Sequence, residues 1–355
     1  MPIASTGPVT FSDLRTEFIG GNAAINFSDL YRGGGNSYIR AKAGNNTAVN
    51  LAPNVPTSGA ISVGNFRGAA RGFKFTFTSG ATNQDASTIF GDDYAVNYPK
   101  EIVINSGVEI GATSASNEAL EINSGGAGTI TITNNGTLTG AGGAAGGDGG
   151  DAFEANSTCI FINNGLIRSG GGGGGAGGAG GTGGGGQTTS TASNASLYVT
   201  ASGGSPSYTC PNPYGGYSYT GVYKVTTLMM DEYNHKCYGR RITVSNTSGG
   251  AGGAGGAGTA GQGYNQSAGS SNSGSSGANG GTNAGSGGSG GSSGSGGAFG
   301  VAGTNGSSGT SGTNGNRTNG ASGGSGSNGG AAGAAIRGIS SVTLTNNGTI
   351  TGGQV

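Results

Sequence analysis

The chain has one histidine among 355 residues, and any catalytic relay would have to be built around it. His235 lies in Asn234-His235-Lys236-Cys237, a string that matches no nucleophile motif, although neutral-pH proton transfer is most often a histidine role. Cys210, His235 and Cys237 could together offer three zinc ligands. A single residue between His235 and Cys237 is not the usual ligand spacing of a zinc site, however. In "GGDGGD" (146–151), Asp148 and Asp151 stand three apart, with some of the character of calcium-binding glycine-rich repeats, and solvated carboxylates are the expectation. Asp92 and Asp93 in "GDDY" read as a turn. No G-x-x-x-x-G-K-[ST] loop occurs, and scattered GxGxxG matches carry no information in so glycine-rich a chain. The expectation is a protein that is not an enzyme and holds no metal or cofactor.

The composition fits no ordinary globular profile. There are 86 glycines, no tryptophan, 32% apolar residues and 8% charged ones. Average glycine usage is about 7%, so a conventional core can form only where the large side chains gather. Fifteen basic and fifteen acidic residues give zero net charge and no clustered positive field, which argues against nucleic acid as a partner. The start "MPIASTGPVTFSDL" lacks a signal peptide's charged and apolar regions, and no stretch reaches the ~18 apolar residues of a membrane span, so membrane insertion is not expected. Cys159, Cys210 and Cys237 are too few and irregular for a disulfide scaffold. Reduced packing cysteines are expected, with a Cys210 to Cys237 bridge as the alternative.

The elements that would position any site fall into three zones. In residues 1–70, "TFSDL" (10–14), "NFSDL" (26–30) and "SVGNF" (62–66) each place an N-cap type three residues before Asp13, Asp29 or Asn65, the logic of a capping box. Each predicts a short helical turn, longest in the first copy, where Phe11, Leu14 and Phe18 share a face. Such turns cannot bury a core alone, so Phe11, Leu14, Phe18, Phe27, Leu30, Tyr31 and Phe66 are candidate docking residues, a self-contained cap being the other reading.

From 71 to 140 the period is two. "GFKFTFTSG" (72–80) alternates Phe73, Phe75 and Phe77 with polar residues, and "EIVINSGVEIGA" and "ALEINSGGAGTITITNNGTLTG" follow in the same style. Each predicts a strand, a positive-φ Asn/Ser-Gly turn and a short return strand, stacked as rungs or hairpins. Beyond 140 the period is three. Alanine steps through "GGAGGAGG" at 176, 179 and at 251, 254, 257, and glycine holds phase from Gly285 to Gly315 and from Gly320 to Gly329. Three residues per turn is the polyproline II helix, which has no internal hydrogen bonds and must pair with neighbours. Without proline from 249 to 335, an intramolecular layered bundle is favoured over a collagen-type trimer, which stays open for 285–315.

The expected fold class is therefore mainly β with short N-terminal helical turns. β-Rungs or hairpins (71–140) lead into a glycine-rich polyproline-II, or polyglycine-II, bundle (141–355) interrupted by an aromatic loop region at 187–247. That insertion holds eight of the thirteen tyrosines, His235, and charges at Lys224, Asp231, Glu232, Lys236, Arg240 and Arg241. Aromatics between rigid elements are what binding loops use. Tyr208, Tyr214, Tyr217, Tyr219, Tyr223, Tyr233, His235 and Tyr238 are the candidate receptor-binding residues.

"VTFSDLRTEFIGGN", "INFSDLYRGG" and "VPTSGAISVGNFRGA", in that order, resemble the N-terminal segment of tail-fibre and virion structural proteins of cyanophages and other marine phages. The phased glycine runs and "AIRGISSVTLTNNGTITG" are similar in plan to the distal adhesin of T-even phage long tail fibres. That resemblance implies a virion tail protein assembled in the host cytoplasm, docked by its N-terminus to other tail, fibre or baseplate proteins. It further implies loops displayed to a host lipopolysaccharide or outer-membrane protein, and a possible homotrimer. Unlike that adhesin, one large insertion carries most of the aromatics here, so no binding residue transfers by motif. The rivals are a purely structural tail component and an ice-binding protein built on flat glycine helices.

Overall fold

The phenylalanine alternation at 73–77 forms a strand because its apolar face can be buried against an interior while each edge pairs with a neighbouring strand. The computed structural model describes residues 3–18, 30, 47–48, 55–56, 58–67, 72–192, 200–201, 223–231 and 234–355, with the strands of the insertion given as backbone. β1 (Thr47–Ala48) pairs antiparallel with β2 (Phe73–Phe77). β2, β3 (Ala81–Thr82) and β4 (Gln84–Asp85) make a first coil; β5 (Lys100–Ile104), β6 (Glu109–Gly111) and β7 (Leu120–Ile122) make a second. β8 (Ile130–Asn134), β9 (Thr137–Thr139) and β10 (Phe153–Ala155) make the third, and β11 (Cys159–Asn163) and β12 (Leu166–Arg168) open the fourth. The chain then leaves the stack for 169–333, which contains β13 (Gly186–Ala192), β14 (Thr200–Ala201), β15 (Tyr223–Asp231) and β16 (Asn234–Thr247). It returns as β17 (Ala334–Arg337) and ends with a fifth coil of β18 (Val342–Asn346), β19 (Thr349–Thr351) and β20 (Gly353–Gln354).

Corresponding strands of successive coils pair in parallel, so the three sheets run β2-β5-β8-β11-β18, β3-β6-β9-β12-β19 and β4-β7-β10-β17-β20. This is a β-solenoid, mainly β and parallel. Its interior stacks like on like: Phe75, Ile102, Ile132, Phe161 and Leu344 are in register down the first sheet, and Ile110, Leu138, Ile167 and Ile350 down the second. Leu120, Phe153 and Ile336 do the same down the third. Lys100 is the one buried ammonium among the described residues, and it is satisfied by the carbonyls of Val96, Tyr98 and Ala127 at 2.6, 3.1 and 2.6 Å.

The Asn-Asn-Gly segments differ from the hairpin expectation. The strands on either side of each, β8 and β9 for example, belong to different sheets, so the turn is a solenoid corner. Nor do Gly136, Gly165 and Gly348 adopt positive φ, although Gly107 in the earlier Asn-Ser-Gly corner does. Glycine is required because the corners stack: a Cβ on Gly165 would lie 2.0 Å from Gly136 O, and one on Gly348 2.1 Å from Gly165 O. The asparagines form two ladders. Inside, Asn134 Nδ2 donates to Asn163 Oδ1 at 2.8 Å and Asn163 Nδ2 to Asn346 Oδ1 at 2.7 Å. Outside, Asn164 Nδ2 donates to Asn135 Oδ1 and Asn347 Nδ2 to Asn164 Oδ1, each at 2.9 Å. The boundary expected at 140 is thus only where the first excursion leaves a solenoid that continues to 354.

From 169 to 333 six runs alternate in direction and pair through backbone hydrogen bonds as two rows of three. One row is 318–333, 169–185 and 248–262; the other is 300–315, 284–298 and 267–281. Gly178 in the central run shows the rule: its N–H donates to Ser307 O at 2.9 Å, and its C=O accepts from Gly291 N at 2.8 Å. A Cβ there would meet Gly324 O at 2.0 Å. The exposed third position of the same run carries Ala176, Ala179 and Thr182. The stretch 285–315 reverses at Ala298 to Val301 rather than running straight, and its two arms pair with each other. Hydroxyls complete that pairing, with Ser286, Ser289, Ser292 and Ser295 N–H each donating to a threonine or serine hydroxyl of the facing arm at 2.8 Å.

At the N-terminus α1 (Phe11–Phe18) starts from the expected capping box, Thr10 N–H donating to Asp13 Oδ2 at 2.6 Å and Asp13 N–H to Thr10 Oγ1 at 3.2 Å. Ser62 N–H likewise donates to Asn65 Oδ1 at 2.7 Å ahead of the 3-10 turn Val63–Phe66. Leu14, Leu30 and Phe66 are buried together with Ile3 and Val55 in a small cluster of their own, so they hold this module together. Phe11 is 43% exposed. Phe27 and Tyr31 lie outside the described residues, as does the side chain of Phe18.

Candidate functional site

The first glycine run leaves β12 at 169 and reaches 185 before the insertion begins, and the sixth returns from 318 to β17 at 334. The insertion therefore lies at the end of the bundle remote from the solenoid. The near end is fixed to the second sheet: the Arg168 guanidinium lies 4.0 Å over the Phe299 ring, and Tyr264 covers Gly111 so closely that a Cβ would fall within 2.1 Å of its ring.

At the remote end three connections meet: the insertion, the 282–283 turn and the 316–317 turn. The insertion is not simply a loop. β13 pairs antiparallel with β16 from Gly186 opposite Thr247 to Ala192 opposite Arg241, and β15 pairs with the first half of β16. β14 also pairs with β16, so a ribbon of strands grows out of the bundle. Of the candidate receptor residues, Tyr223 stands opposite Arg241, Tyr238 opposite Thr227, and His235 opposite Met230 and Ala201. Tyr208, Tyr214, Tyr217, Tyr219 and Tyr233 lie outside the described residues, as does Cys210; Cys237 stands opposite Leu228.

The base of the ribbon is built by residues that the aromatic pattern did not mark. Asn316 Oδ1 accepts from Gln187 N–H at 2.7 Å, and Asn316 Nδ2 donates to Gln187 O at 2.8 Å. Asn283, held at φ 61°, donates from Nδ2 to the same carbonyl at 3.1 Å, and its own carbonyl accepts from Asn316 N–H at 3.0 Å. On the other ribbon leg, Thr247 Oγ1 donates to Thr282 O at 2.6 Å. Arg317, exposed beside this base, donates its N–H to Gly185 O at 3.1 Å. The only sequence signal for these positions was that asparagines punctuate the glycine phase at 283 and 316.

The residues weighed for chemistry lie elsewhere. Asp151 is buried, against the expectation of a solvated carboxylate: Oδ1 accepts from Ala334 N–H at 2.5 Å and Oδ2 pairs with the Arg337 guanidinium. The reason is that 148–151 lies against the returning chain, where Asp148 Oδ1 also accepts Ala331 N–H at 2.7 Å. Asp92 and Asp93 lie in the expected turn, Asp93 buried. Cys159 is a free thiol inside the solenoid, where burial pushes its pKa up to about 12. Among the described residues no group of three or more His, Cys, Asp or Glu could hold a metal ion, and no helix is long and apolar enough to cross a membrane.

With the solenoid, the bundle and the terminal ribbon in view, residues 72–224 match the family model described as phage tail fibre adhesin Gp38. That span covers the first three coils, the two strands that open the fourth, the central glycine run and the start of the ribbon, and is less than half of the chain. Among solved structures, the gp37-gp38 adhesin tip complex of the bacteriophage S16 long tail fiber is similar at 17% identity. The match covers 84% of this chain and 88% of that one at a TM-score of 0.37. No curated protein matches by sequence. The class to which the sequence pointed, a phage tail-fibre adhesin, is thus the class that the family match names.

Proposed function

We propose that this protein is a non-catalytic adhesin of a phage tail fibre or baseplate, and that the ribbon within 187–247 contacts a receptor on the host surface. The carrying observation is placement: the tyrosine-rich insertion interrupts the glycine runs at the end of the bundle remote from the solenoid. The six runs act as polyglycine-II helices. Their period of three, their glycines turned inward and their inter-run N–H···O=C bonds support that reading. At 3.1 Å per residue, a run such as 169–185 would hold the ribbon roughly 50 Å out from β12. Tyrosine fits such a surface, offering a large amphipathic area for little lost rotamer entropy.

In this reading the N-terminal module, residues 1–70, joins the protein to another tail, fibre or baseplate protein after assembly in the host cytoplasm, and exposed Phe11 is a candidate contact. The receptor is a lipopolysaccharide or an outer-membrane protein. The test uses purified protein and host cells: the intact chain binds and competes with phage adsorption, while a chain lacking 188–246 does neither. Equal competition by both would remove the ribbon from the receptor-binding role and favour a spacer.

A further inference from the structure

We propose that Asn283 and Asn316 are positioning residues that set the direction in which the ribbon leaves the bundle. The proposal rests on the adhesin reading for its consequence, but not for its geometry. Asn316 pairs with Gln187 through both ends of its amide, accepting from N–H at 2.7 Å and donating to C=O at 2.8 Å. A side-chain amide used in this way copies one rung of a β-ladder. It extends the pairing of β13 sideways onto the 316–317 turn, at the first residue after the last glycine-to-glycine contact.

Asn283 closes the arrangement from the other side. Its backbone is in the left-handed region at φ 61°, which asparagine tolerates better than other non-glycine residues. That conformation lets its Nδ2 reach Gln187 O at 3.1 Å while its carbonyl receives Asn316 N–H at 3.0 Å. Two turns that are 33 positions apart in sequence, one joining the third and fourth runs and the other the fifth and sixth, thus converge on one peptide unit.

Both asparagine side chains hydrogen-bond to the backbone of Gln187, whose side chain instead donates to Asn246 Oδ1 at 3.3 Å across the ribbon. The ribbon is therefore gripped by its peptide groups, and the two turns act as its base rather than as receptor contacts. Without the grip, β13 and β16 would still pair with each other, and the Thr247 hydroxyl bond to Thr282 O would be left to oppose their swinging as a unit about Gly185 and Gly186.

The experiment follows amide exchange at 187–192 and 242–247 in the full-length protein, with adsorption competition as the second readout. Asn316→Leu removes both bonds at similar volume, and Asn283→Gly keeps the left-handed backbone while deleting the amide. Asn316→Leu, which takes away the acceptor of Gln187 N–H, is expected to raise exchange at Gln187 about fivefold to tenfold, and Asn283→Gly, which leaves that acceptor in place, is expected to raise it less, with unchanged exchange in 171–183 for both. Competition should weaken by a similar factor. Asn316→Asp keeps the acceptor but loses the donor, and should recover protection when the carboxyl is protonated, below about pH 4; mere loss of packing would give no such recovery. Unchanged exchange in both variants would overturn the grip. Raised exchange with undiminished competition would overturn the orienting role, provided that the chain lacking 188–246 has lost competition. If that chain still competes, the adhesin reading fails instead, and the exchange data still decide whether the grip exists.

Discussion

Replacing Asn163 by alanine should destabilise the solenoid far more than replacing its neighbour Asn164, although the two are adjacent asparagines in one turn. Asn163 is fully buried and Asn164 is exposed. Asn163 Oδ1 accepts from Asn134 Nδ2 at 2.8 Å and from Gly165 N–H at 3.3 Å; its Nδ2 donates to Asn346 Oδ1 at 2.7 Å and to Thr349 O at 3.4 Å. Truncation leaves Asn134 Nδ2 with only the longer bond to Leu166 O at 3.3 Å, and leaves Gly165 N–H without its acceptor. Asn346 is exposed, so water can replace its partner. Two net hydrogen bonds at about 1 kcal/mol each, plus a partly unsatisfied interior donor at about 1 to 2 kcal/mol, give a loss of about 3 to 4 kcal/mol. Asn164 forms only the outer ladder with Asn135 and Asn347, where water competes, and its loss should be under about 1 kcal/mol. Equilibrium denaturation followed by far-ultraviolet circular dichroism gives both values. Equal losses at the two positions would show that the inner ladder contributes nothing special, and the stacked-corner account would be wrong.

Three further outcomes are expected. Gly181→Ala should destabilise the bundle by several kcal/mol, because its Cβ would lie 2.0 Å from Ala321 O in rigid backbone, whereas Ala179→Ser on the exposed face of the same run should be within about 0.5 kcal/mol of the native protein; paired thermal melts decide. With Cys210 and Cys237 changed to serine, Cys159 should resist iodoacetamide at pH 8, since a thiol with a pKa of about 12 holds almost no thiolate there, and should react on unfolding; prompt native labelling would contradict its burial. Asp151→Asn should loosen the return of the chain into β17 by removing the Arg337 ion pair, read as faster amide exchange at Ala334 to Arg337, with Asp148→Asn the milder change because Asp148 is exposed.

What could be read from the sequence followed from periodicity. Phe73, Phe75 and Phe77 declared a strand with one buried face, and Ala176, Ala179 and Thr182 marked the exposed position of a run whose glycines lie against neighbouring backbone. The corners could not be read the same way. Asn134-Asn135-Gly136 looks identical as a hairpin turn and as a solenoid corner, and only the stacking of Gly165 on Gly136 distinguishes them. That contact joins residues a whole coil apart, and no local pattern encodes it. Asp151 was misread for a similar reason, since its partners Ala334 and Arg337 are more than 180 positions away. At the candidate site the tyrosines of the insertion drew attention by type, while Asn283 and Asn316 resembled ordinary breaks in glycine phase until both reached Gln187.

The central claim is that the ribbon carried on the glycine bundle is what the host surface meets. Its most direct test is the adsorption rate of phage carrying a deletion of 188–246 in this protein, measured alongside the amount of the protein in purified particles. The account predicts normal incorporation, because the solenoid and the N-terminal module are untouched, with adsorption reduced to the level of particles lacking the protein altogether. Normal incorporation with undiminished adsorption would contradict it.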